Sequence, residues 1–169
     1  ELTKAQRDYA NQTLYILSGL YGVIRPYDGI MPYRLEMAYK FPDAPYDNLY
    51  KFWGQKIAKQ IPESGLVANL SSVEYSKTVL PFIDPERVIA PQFFTVNPKT
   101  KLPTFVTVHS KIARGAFARW LITTQSQTAK QMEGFNLLGY EYSKELSLPN
   151  QPAFVAQEFG GIGLSIRLQ

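Results

Sequence analysis

The amino-acid sequence predicts an α+β fold, a single compact domain in which a mixed β-sheet packs with helices and β-hairpins. Helical and β-rich segments intermingle along the 169 residues, and only one strand-then-helix unit is evident, at residues 66–79. Hydrophobic residues make up 45% of the chain, which is enough to bury a core and excludes a disordered protein. The sequence holds neither an internal repeat nor a low-complexity linker, so no domain boundary is predicted.

The N-terminal part of the chain is predicted to form two helices separated by a reversal of the chain. Thr3 and Gln6 have the spacing of a capping box, and the helix that they open is expected to run to Gly19. Glycines then reverse the chain within residues 18–26. A helical stripe of apolar residues predicts the second helix over residues 46–61, after which a proline follows.

The middle of the chain is predicted to hold a short helix and a hairpin. Residues 66–70 are typical of a short buried strand, after which Ser71 or Ser72 would cap a short helix. The β-rich residues 88–96 and 104–109 flank the turn sequence NPKTK, and together they predict a β-hairpin.

A basic amphipathic helix is predicted over residues 111–124, with Ser110 as its cap. Its apolar residues share one face on a helical wheel. Lys111 and Arg114 lie on the opposite side, and Arg119 lies at the boundary.

The C-terminal part is predicted to close the fold with a short helix and a pair of strands. Thr128 and Gln131 repeat the capping-box spacing and open the helix. Residues 138–143 and 153–157 would then pair around a turn at Asn150.

Positive charge is concentrated in one part of the chain. The whole chain carries 18 Lys and Arg against 14 Asp and Glu, a net charge of +4, yet no acid occurs between Glu86 and Glu133. Seven basic residues fall in this interval: Arg87, Lys99, Lys101, Lys111, Arg114, Arg119 and Lys130. Such a stretch favours an acidic partner, most often nucleic acid. The alternative is that these side chains lie on solvated helix and hairpin tips with no partner.

Composition excludes or weakens several classes of site. The absence of cysteine excludes disulfides, thiolate metal sites and cysteine nucleophiles. The single histidine, His109, has no acid near it in sequence, so neither a metal site nor a cofactor is predicted. No apolar run approaches the roughly 18 residues that span a bilayer, so no membrane partner is expected. The GGIG sequence at residues 160–163 lacks the Lys-Ser/Thr that follows a phosphate-binding loop and is interpreted as part of a tail.

Two further stretches hold candidate ligand-binding or catalytic residues. Residues 69–77 place a strand end before a serine-capped helix, a geometry that binds anions unless the serines serve only as caps. Residues 32–37 place an arginine and a glutamate two positions apart, to pair with each other or to hold a polar ligand. The candidates for phosphate or other ligand binding are Arg25, Arg34, Asn69, Ser71 and Ser72. The candidates for catalytic roles are Glu36, Glu74, Tyr75 and Lys77.

Five blocks of the sequence occur in the order and spacing of one known family. They are LSGLYGVIRP with PYRLEM (residues 17–26 and 32–37), LYKFWG (49–54), NLSSVEY (69–75), ARG (113–115) with Arg119 and Gly134-Phe135 beyond it, and GYEY (139–142). Through these blocks the chain resembles the YaaA family of bacterial peroxide-stress proteins, also called UPF0246 or DUF328.

The resemblance implies a cytoplasmic protein with a YaaA-like domain over residues 1–157 and an atypical tail over residues 158–169. It implies double-stranded DNA as the partner, bound in a positively charged cleft. It also implies a role in lowering free iron under hydrogen-peroxide stress, which would limit iron-dependent damage. The candidates for contacting DNA phosphates are Lys99, Lys101, Lys111, Arg114 and Arg119.

The sequence also departs from the family pattern. The family's opening third, which starts with a strand and a Ser-Pro-Ala-Lys stretch, has no counterpart before Glu1, so the chain is expected to be the larger part of a longer protein. The family's helix-hairpin-helix DNA-binding motif is expected in that opening third, and residues 18–22 resemble its Gly-x-Gly hairpin only loosely, with one residue too many between the glycines. The usual Lys-Lys before the Ala-Arg-Gly block is Lys111-Ile112 here.

Three interpretations of function follow. The first is a DNA-binding stress protein, and the second is an enzyme acting on a nucleotide or another phosphorylated small molecule. The pocket of that enzyme would be lined by Arg34, Glu36, Asn69, Glu74 and Lys77. In the third, the glycine- and proline-rich blocks only shape the fold, and Gly19, Gly22 and Gly115 are steric necessities.

Overall fold

The structure is a computed structural model that describes residues 1–42 and 45–158. The helices are α1 (Lys4–Thr13), α2 (Leu49–Trp53), α3 (Val73–Ser76), α4 (Thr107–Thr124) and α5 (Ala129–Met132). The strands are β1 (Ile16–Ser18), β2 (Gly22–Ile24), β3 (Val67–Ala68), β4 (Val88–Ile89), β5 (Gln92–Val96), β6 (Pro103–Thr104), β7 (Tyr140–Leu148) and β8 (Gln151–Ala156). Short 3-10 turns are found at Ala58–Gln60, Leu80–Phe82, Pro85–Arg87 and Leu137–Gly139.

The largest sheet contains both parallel and antiparallel strands. Its strand order is β6-β5-β8-β7. The central pair β5 and β8 is parallel, with Gln92 opposite Ala153, whereas β6 and β7 are antiparallel to their neighbours. Helices and short hairpins occupy the rest of the chain, so the predicted α+β class with a mixed sheet is confirmed.

The backbone packs into two compact units. The first unit consists of Glu1–Gly65 and Ser71–Val88, and the second consists of Leu66–Leu70 together with the chain from Ile89 onward. Each unit has a hydrophobic core of its own.

The core of the first unit is built mainly from aliphatic side chains. Met37, Leu49, Ile57 and Val79 are almost completely buried in it. Partly buried residues cover them, among which Trp53 also donates its indole N–H to the backbone oxygen of Gly19 at 3.0 Å. This core therefore fixes α2 against the turn between β1 and β2.

The core of the second unit is aromatic and lies between α4 and the mixed sheet. Phe93 of β5 is its centre, with ring centroids of Phe117, Phe135, Tyr140 and Phe154 between 5.4 and 5.9 Å away. Mostly edge-to-face contacts of this kind add to the free energy gained by burying the rings. Since Phe117 belongs to α4, the core holds one face of that helix against the sheet and leaves the other exposed.

The N-terminal capping box is confirmed, but the first helix is shorter than predicted. Thr3 and Gln6 make both reciprocal hydrogen bonds of the box. The helix ends at Thr13, and residues 16–24 form a β-hairpin of β1 and β2 instead of its continuation. The chain can turn there because Gly22 adopts a φ of +77°. Gly19 lies in the turn between the strands and Gly22 is the first residue of β2, so the loose similarity of residues 18–22 to a helix-hairpin-helix is not accompanied by flanking helices.

The second helix is also much shorter than the predicted residues 46–61. Asn48 caps α2 by accepting a hydrogen bond from the backbone N–H of Lys51, and the helix ends after Trp53. Gly54 follows with a φ of +48°, which an α-helix cannot contain, and only a 3-10 turn resumes at Ala58–Gln60.

The long basic helix begins four residues earlier than predicted. The prediction of a strand over residues 104–109 is wrong beyond Thr104, and Ser110 is not the cap, because α4 starts at Thr107. His109 lies in its first turn, where its Nδ1 is 3.0 Å from the hydroxyl of Thr95 on β5. This contact with the sheet opposes the local β preference of the segment.

Other predicted elements occur with shifted ends. Capping by Thr128 and Gln131 is confirmed, and the hairpin that pairs Thr95 with Thr104 is confirmed. The closing strand pair also forms, but it is longer than predicted, with Asn150 in its turn at a φ of +57°. The GGIG sequence and the tail from residue 159 lie outside the described residues.

Candidate functional site

One exposed face of α4 carries two basic residues with a glycine between them. Lys111, Gly115 and Arg119 follow one another at intervals of four positions, so they lie on consecutive turns, and all three are exposed. We call these three residues the basic α4 face. Arg114 lies to one side of this face and is half-buried, and its Nε donates to the backbone oxygen of Ser110 at 3.3 Å. Arg119 is therefore the more exposed of the two arginines, whereas the helical wheel predicted that it would lie at the boundary between the apolar and polar faces.

The hairpin between β5 and β6 presents two further cations of the second unit. Lys99 and Lys101 are both exposed at its turn. The side chain of Asn97 accepts hydrogen bonds from the backbone N–H groups of Lys99 at 2.8 Å and Thr100 at 3.2 Å. Lys101 has a φ of +58°, and its N–H donates to the backbone oxygen of Asn97 at 2.8 Å. The turn that carries the lysines is thus held by local hydrogen bonds.

The cations at these two places are not neutralised by acids in the described chain. Lys99, Lys101, Lys111 and Arg119 make no ion pair with any residue of 1–42 or 45–158. The positive charge of each is therefore available to an anion from solution.

Arg87, although it belongs to the same acid-free stretch, has a structural position in the first unit. Its guanidinium donates to three backbone oxygens, those of Pro62 at 2.6 Å, Gly65 at 2.8 Å and Ser64 at 2.9 Å. The side chain is half-buried and holds the loop 62–65, so we do not include it among the candidate anion-binding residues.

The three glycines that sequence reasoning grouped together differ in their surroundings. A Cβ at Gly19 would lie 2.5 Å from the backbone oxygen of Leu35, and one at Gly22 would lie 2.9 Å from the Trp53 ring. Steric necessity is therefore confirmed for these two. It is wrong for Gly115, because a Cβ there would meet no described heavy atom within 4 Å. A glycine inside a helix costs about 1 kcal/mol relative to alanine, and the described packing does not account for that cost.

In the first unit, Glu74 is the centre of a hydrogen-bonded connection between α3 and two other segments. Its carboxylate accepts from the backbone N–H of Ala38 at 2.9 Å. Its backbone oxygen accepts from the hydroxyl of Tyr50 at 3.0 Å. Glu74, predicted as a catalytic candidate, therefore has at least one carboxylate oxygen engaged in holding the fold.

Tyrosines surround the same part of the first unit. The hydroxyls of Tyr33 and the buried Ser18 form a short hydrogen bond, and Ser18 also accepts from the backbone N–H of Tyr21. The rings of Tyr21 and Tyr33 pack edge to face at 5.5 Å. Neither Ser18 nor Tyr33 is among the residues that the sequence predicts for a site, although both lie in the family blocks of residues 17–26 and 32–37.

The phenol of Tyr75 has a raised pKa. Burial is the largest cause, and the neighbouring Glu74 carboxylate, Tyr33 and Glu36 add to it, while a hydrogen bond with the Met37 backbone opposes it. Burial and nearby negative charge thus favour the neutral form of the Tyr75 phenol, and two of the catalytic candidates, Glu74 and Glu36, contribute to that charge.

The remaining candidates in the first unit are not joined by hydrogen bonds or ion pairs into one cluster. Arg34, Glu36, Ser72 and Lys77 are exposed, and Arg34 makes no ion pair with Glu36. Ser72 is the N-cap of α3 without a side-chain hydrogen bond, and α3 has only four residues. The helix expected to bind an anion is thus a single turn.

Two ligand-binding candidates, Arg25 and Asn69, make contacts within the protein that stabilise the fold. The guanidinium of Arg25 stacks on the ring of Tyr15 at 3.4 Å and donates to backbone oxygens at the end of α1, those of Gln12 and Leu14. Asn69 belongs to the second unit, where its N–H donates to the backbone oxygen of Ile89 at 2.8 Å.

Neither a metal centre nor a membrane span is evident in the described part of the chain. Residues 1–42 and 45–158 hold no group of three His, Cys, Asp or Glu side chains placed to bind a metal ion. No helix within those ranges combines the length and the apolar composition that crossing a membrane requires.

The fold and the basic α4 face together define an α+β protein that presents cations on one side of a long helix. Comparison with known proteins identifies the family. A family profile described as "Peroxide stress protein YaaA" matches residues 1–146, and the chain belongs to this family.

Relatives of this chain include several that are described as UPF0246 proteins. One from Salinispora tropica is 54% identical over 167 residues, covering 99% of this chain and 64% of the relative. Another from Clostridioides difficile is 36% identical over 156 residues, covering 92% and 63%. A third from Ruegeria is 42% identical over 156 residues, covering 88% and 61%. The chain thus spans less than two thirds of the length of these relatives.

Proposed function

We propose that this chain acts in the peroxide-stress response by binding double-stranded DNA in the cytoplasm, and that bound protein helps limit iron-dependent damage to the DNA. The observation that carries the proposal is the set of exposed cations of the second unit without an acidic partner among the described residues: Lys99, Lys101, Lys111 and Arg119. Arg114 contributes at the edge of this set. The family description supports the stress context.

The chemistry of these cations favours contacts with phosphate rather than with bases. Lysine and arginine that neutralise phosphates release counterions, which gives affinity without sequence preference. Four such contacts correspond to a slope of about −3 to −4 in the logarithm of affinity against the logarithm of salt concentration. We therefore expect binding that weakens steeply with salt and is nearly indifferent to sequence.

The proposal is tested with a double charge reversal. Lys111→Glu with Arg119→Glu should reduce the affinity for a fluorescent 20-base-pair duplex by at least 30-fold at low salt, measured by anisotropy, and Arg114→Glu with Arg119→Glu should abolish a gel shift. Lys40→Glu with Lys59→Glu is the matched control, because both lysines are exposed in the first unit and the change in net charge is the same. Equal loss in both pairs, or unchanged affinity in the first, would refute the proposal.

A second candidate function is supported by the surroundings of Tyr75 in the first unit. A titratable group with a shifted pKa beside two carboxylates is typical of reactive sites. Exposed Arg34 and Lys77 of the same unit could supply the charge that binds a phosphate. We therefore keep the alternative of an enzyme acting on a nucleotide or another phosphorylated small molecule.

A thermal-shift screen of nucleotides and sugar phosphates tests this alternative. A stabilising compound whose effect is lost in Lys77→Ala and Tyr75→Phe, but kept in Lys59→Ala, would support it. Absence of any stabilising compound, together with wild-type DNA binding in Tyr75→Phe, would favour the DNA-binding function alone.

A further inference from the structure

Gly115 occupies an unusual place for a glycine. It lies in the interior of the 18-residue helix α4, it is exposed, and a Cβ there would meet no described heavy atom within 4 Å. Alanine would fit this position and would stabilise the helix. By contrast, Gly19 and Gly22 lie where a Cβ would clash with Leu35 or Trp53. Gly115 thus lacks a structural reason within the described chain.

The residues four positions before and four positions after Gly115 are both exposed cations. Lys111 precedes it by one turn and Arg119 follows it by one turn, and the two Cα atoms are separated by about 12 Å along the helix axis. Helical side chains lean toward the N-terminus, so that of Arg119 leans toward Gly115, and the long, exposed side chain of Lys111 has to turn back to approach it. The helix therefore presents a bare strip of backbone between two flexible positive charges.

We propose that Gly115 is the point where the DNA sugar-phosphate backbone touches α4, with Lys111 and Arg119 gripping the phosphates on either side. This inference rests on the proposed DNA-binding function and names the contact at its centre. Glycine allows a ligand to approach the protein backbone closely, because no side chain holds it away. At such a distance a phosphate oxygen can accept a weak hydrogen bond from the Cα–H of the glycine, at about 3.3–3.6 Å.

The inference explains why a helix-weakening residue occurs between two cations. A side chain at residue 115 would push the phosphate outward by the length of that side chain. Lys111 and Arg119 would then have to extend farther and could no longer contact their phosphates at the same time. Glycine at residue 115 thus lowers helix stability relative to alanine but allows the DNA to contact the helix backbone.

The test compares stability and DNA affinity in the same variants of the 169-residue chain. Gly115→Ala should raise the melting temperature by about 2–4 °C, because helix propensity improves. The same change should weaken binding to the 20-base-pair duplex about 3-fold, and Gly115→Leu should weaken it at least 10-fold. Opposite changes of stability and affinity separate a ligand contact from a folding defect.

Gly29 provides the matched control. It is exposed in the first unit, and a Cβ there also meets no described heavy atom within 4 Å, but no pair of cations flanks it on a helix. Gly29→Ala and Gly29→Leu should bind the duplex like the wild type.

The outcomes distinguish this inference from the proposed function. If Lys111→Glu with Arg119→Glu loses binding while both Gly115 variants keep wild-type affinity, the role of Gly115 is refuted and DNA binding by the basic α4 face stands. If the double charge reversal leaves affinity unchanged, or the wild type binds no duplex, both are refuted together. Loss of affinity in Gly115→Leu with a raised or unchanged melting temperature supports the contact.

Discussion

The carboxylate of Glu74 accepts a hydrogen bond from the backbone N–H of Ala38, with 2.9 Å between the oxygen and the nitrogen. The two residues are 36 positions apart, so this bond fixes α3 to a segment that has no regular secondary structure of its own. Tyr50 adds a second bond by donating its hydroxyl to the backbone oxygen of Glu74. The family block around Glu74 therefore has a structural task in the first unit.

Removing this carboxylate should destabilise the protein, whereas replacing it by an amide should not. Glu74→Ala leaves the Ala38 N–H without its acceptor and should cost about 1–2 kcal/mol of unfolding free energy. Glu74→Gln keeps an oxygen acceptor and should stay within about 0.5 kcal/mol of the wild type. Urea denaturation measures both, and wild-type stability of Glu74→Ala would show that the bond contributes nothing.

Glycine is required at the turn between β1 and β2. Gly19→Ala would place a Cβ 2.5 Å from a backbone oxygen, and Gly22→Ala combines a clash with Trp53 and a φ of +77°. Each should cost about 2–4 kcal/mol, because backbone strain and overpacking add. The thermal midpoint followed by tryptophan fluorescence measures the loss. Gly29→Ala serves as the control with little change, and a wild-type midpoint for Gly19→Ala would contradict the predicted clash.

Arg87 should contribute to stability but not to DNA binding. Its three hydrogen bonds to the carbonyl groups of residues 62–65 would be lost in Arg87→Ala, at a cost of about 2–3 kcal/mol. Lysine cannot reproduce the planar arrangement of donors, so Arg87→Lys should recover only a small part. Duplex affinity, measured by anisotropy below the unfolding transition, should equal that of the wild type. A large loss of affinity would mean that Arg87 belongs to the binding surface after all.

Alkaline pH should destabilise the fold through buried tyrosine. Burial raises the pKa of the Tyr140 phenol above its ordinary value of 10, and the Thr95 side chain opposes the rise. Above pH 10 the unfolded chain ionises this group while the folded chain keeps it protonated. The folded state then binds more protons, so stability falls as pH rises further.

Tyr140→Phe removes this contribution. Its unfolding free energy should therefore decline less steeply above pH 10, by up to about 1.4 kcal/mol per pH unit, in urea titrations at pH 8 to 11. Tyr27→Phe, at an exposed tyrosine, is the control. Parallel curves for Tyr140→Phe and the wild type would contradict the assignment.

Predictions from the sequence succeed where the information lies within a few residues. The two capping boxes, at Thr3 and Thr128, involve partners three positions away, and both form. The turn after Asn97 likewise depends on its own side chain and backbone, and the hairpin that it closes is present. The apolar face of α4 could be read from its helical period, and Ala113 and Phe117 are buried on it.

Predictions fail where the ends of an element are decided by contacts between distant residues or by a positive backbone φ angle. The α2 helix ends because Gly54 takes a positive φ, which the apolar stripe of residues 46–61 does not reveal. The start of α4 at Thr107 accompanies the contact between His109 and Thr95 across 14 positions. Tertiary contacts of this kind override local β preference.

The roles of the residues in the candidate site also depend on tertiary contacts that the sequence does not reveal. The acid-free stretch is visible in the sequence, but the role of each cation is not, because Arg87 and Arg114 bind backbone oxygens while Lys111 and Arg119 extend into solvent. The openness around Gly115 also depends on packing, since sequence alone cannot tell an obligatory glycine from an unconstrained one.

The parallel pairing of β5 with β8 has a consequence for the order of folding. Gln92 pairs with Ala153, so the central strand pair joins segments separated by α4, α5 and β7. The local hairpin of β7 and β8 can close quickly, whereas the pairing of β5 with β8 is slower because closing a long loop costs conformational entropy. Until β8 emerges from the ribosome, β5 has only the two residues of β6 beside it, and Phe93 lacks its stacked partner Phe154. We therefore expect the second unit to complete its mixed sheet and its aromatic core only once β8 has been synthesised.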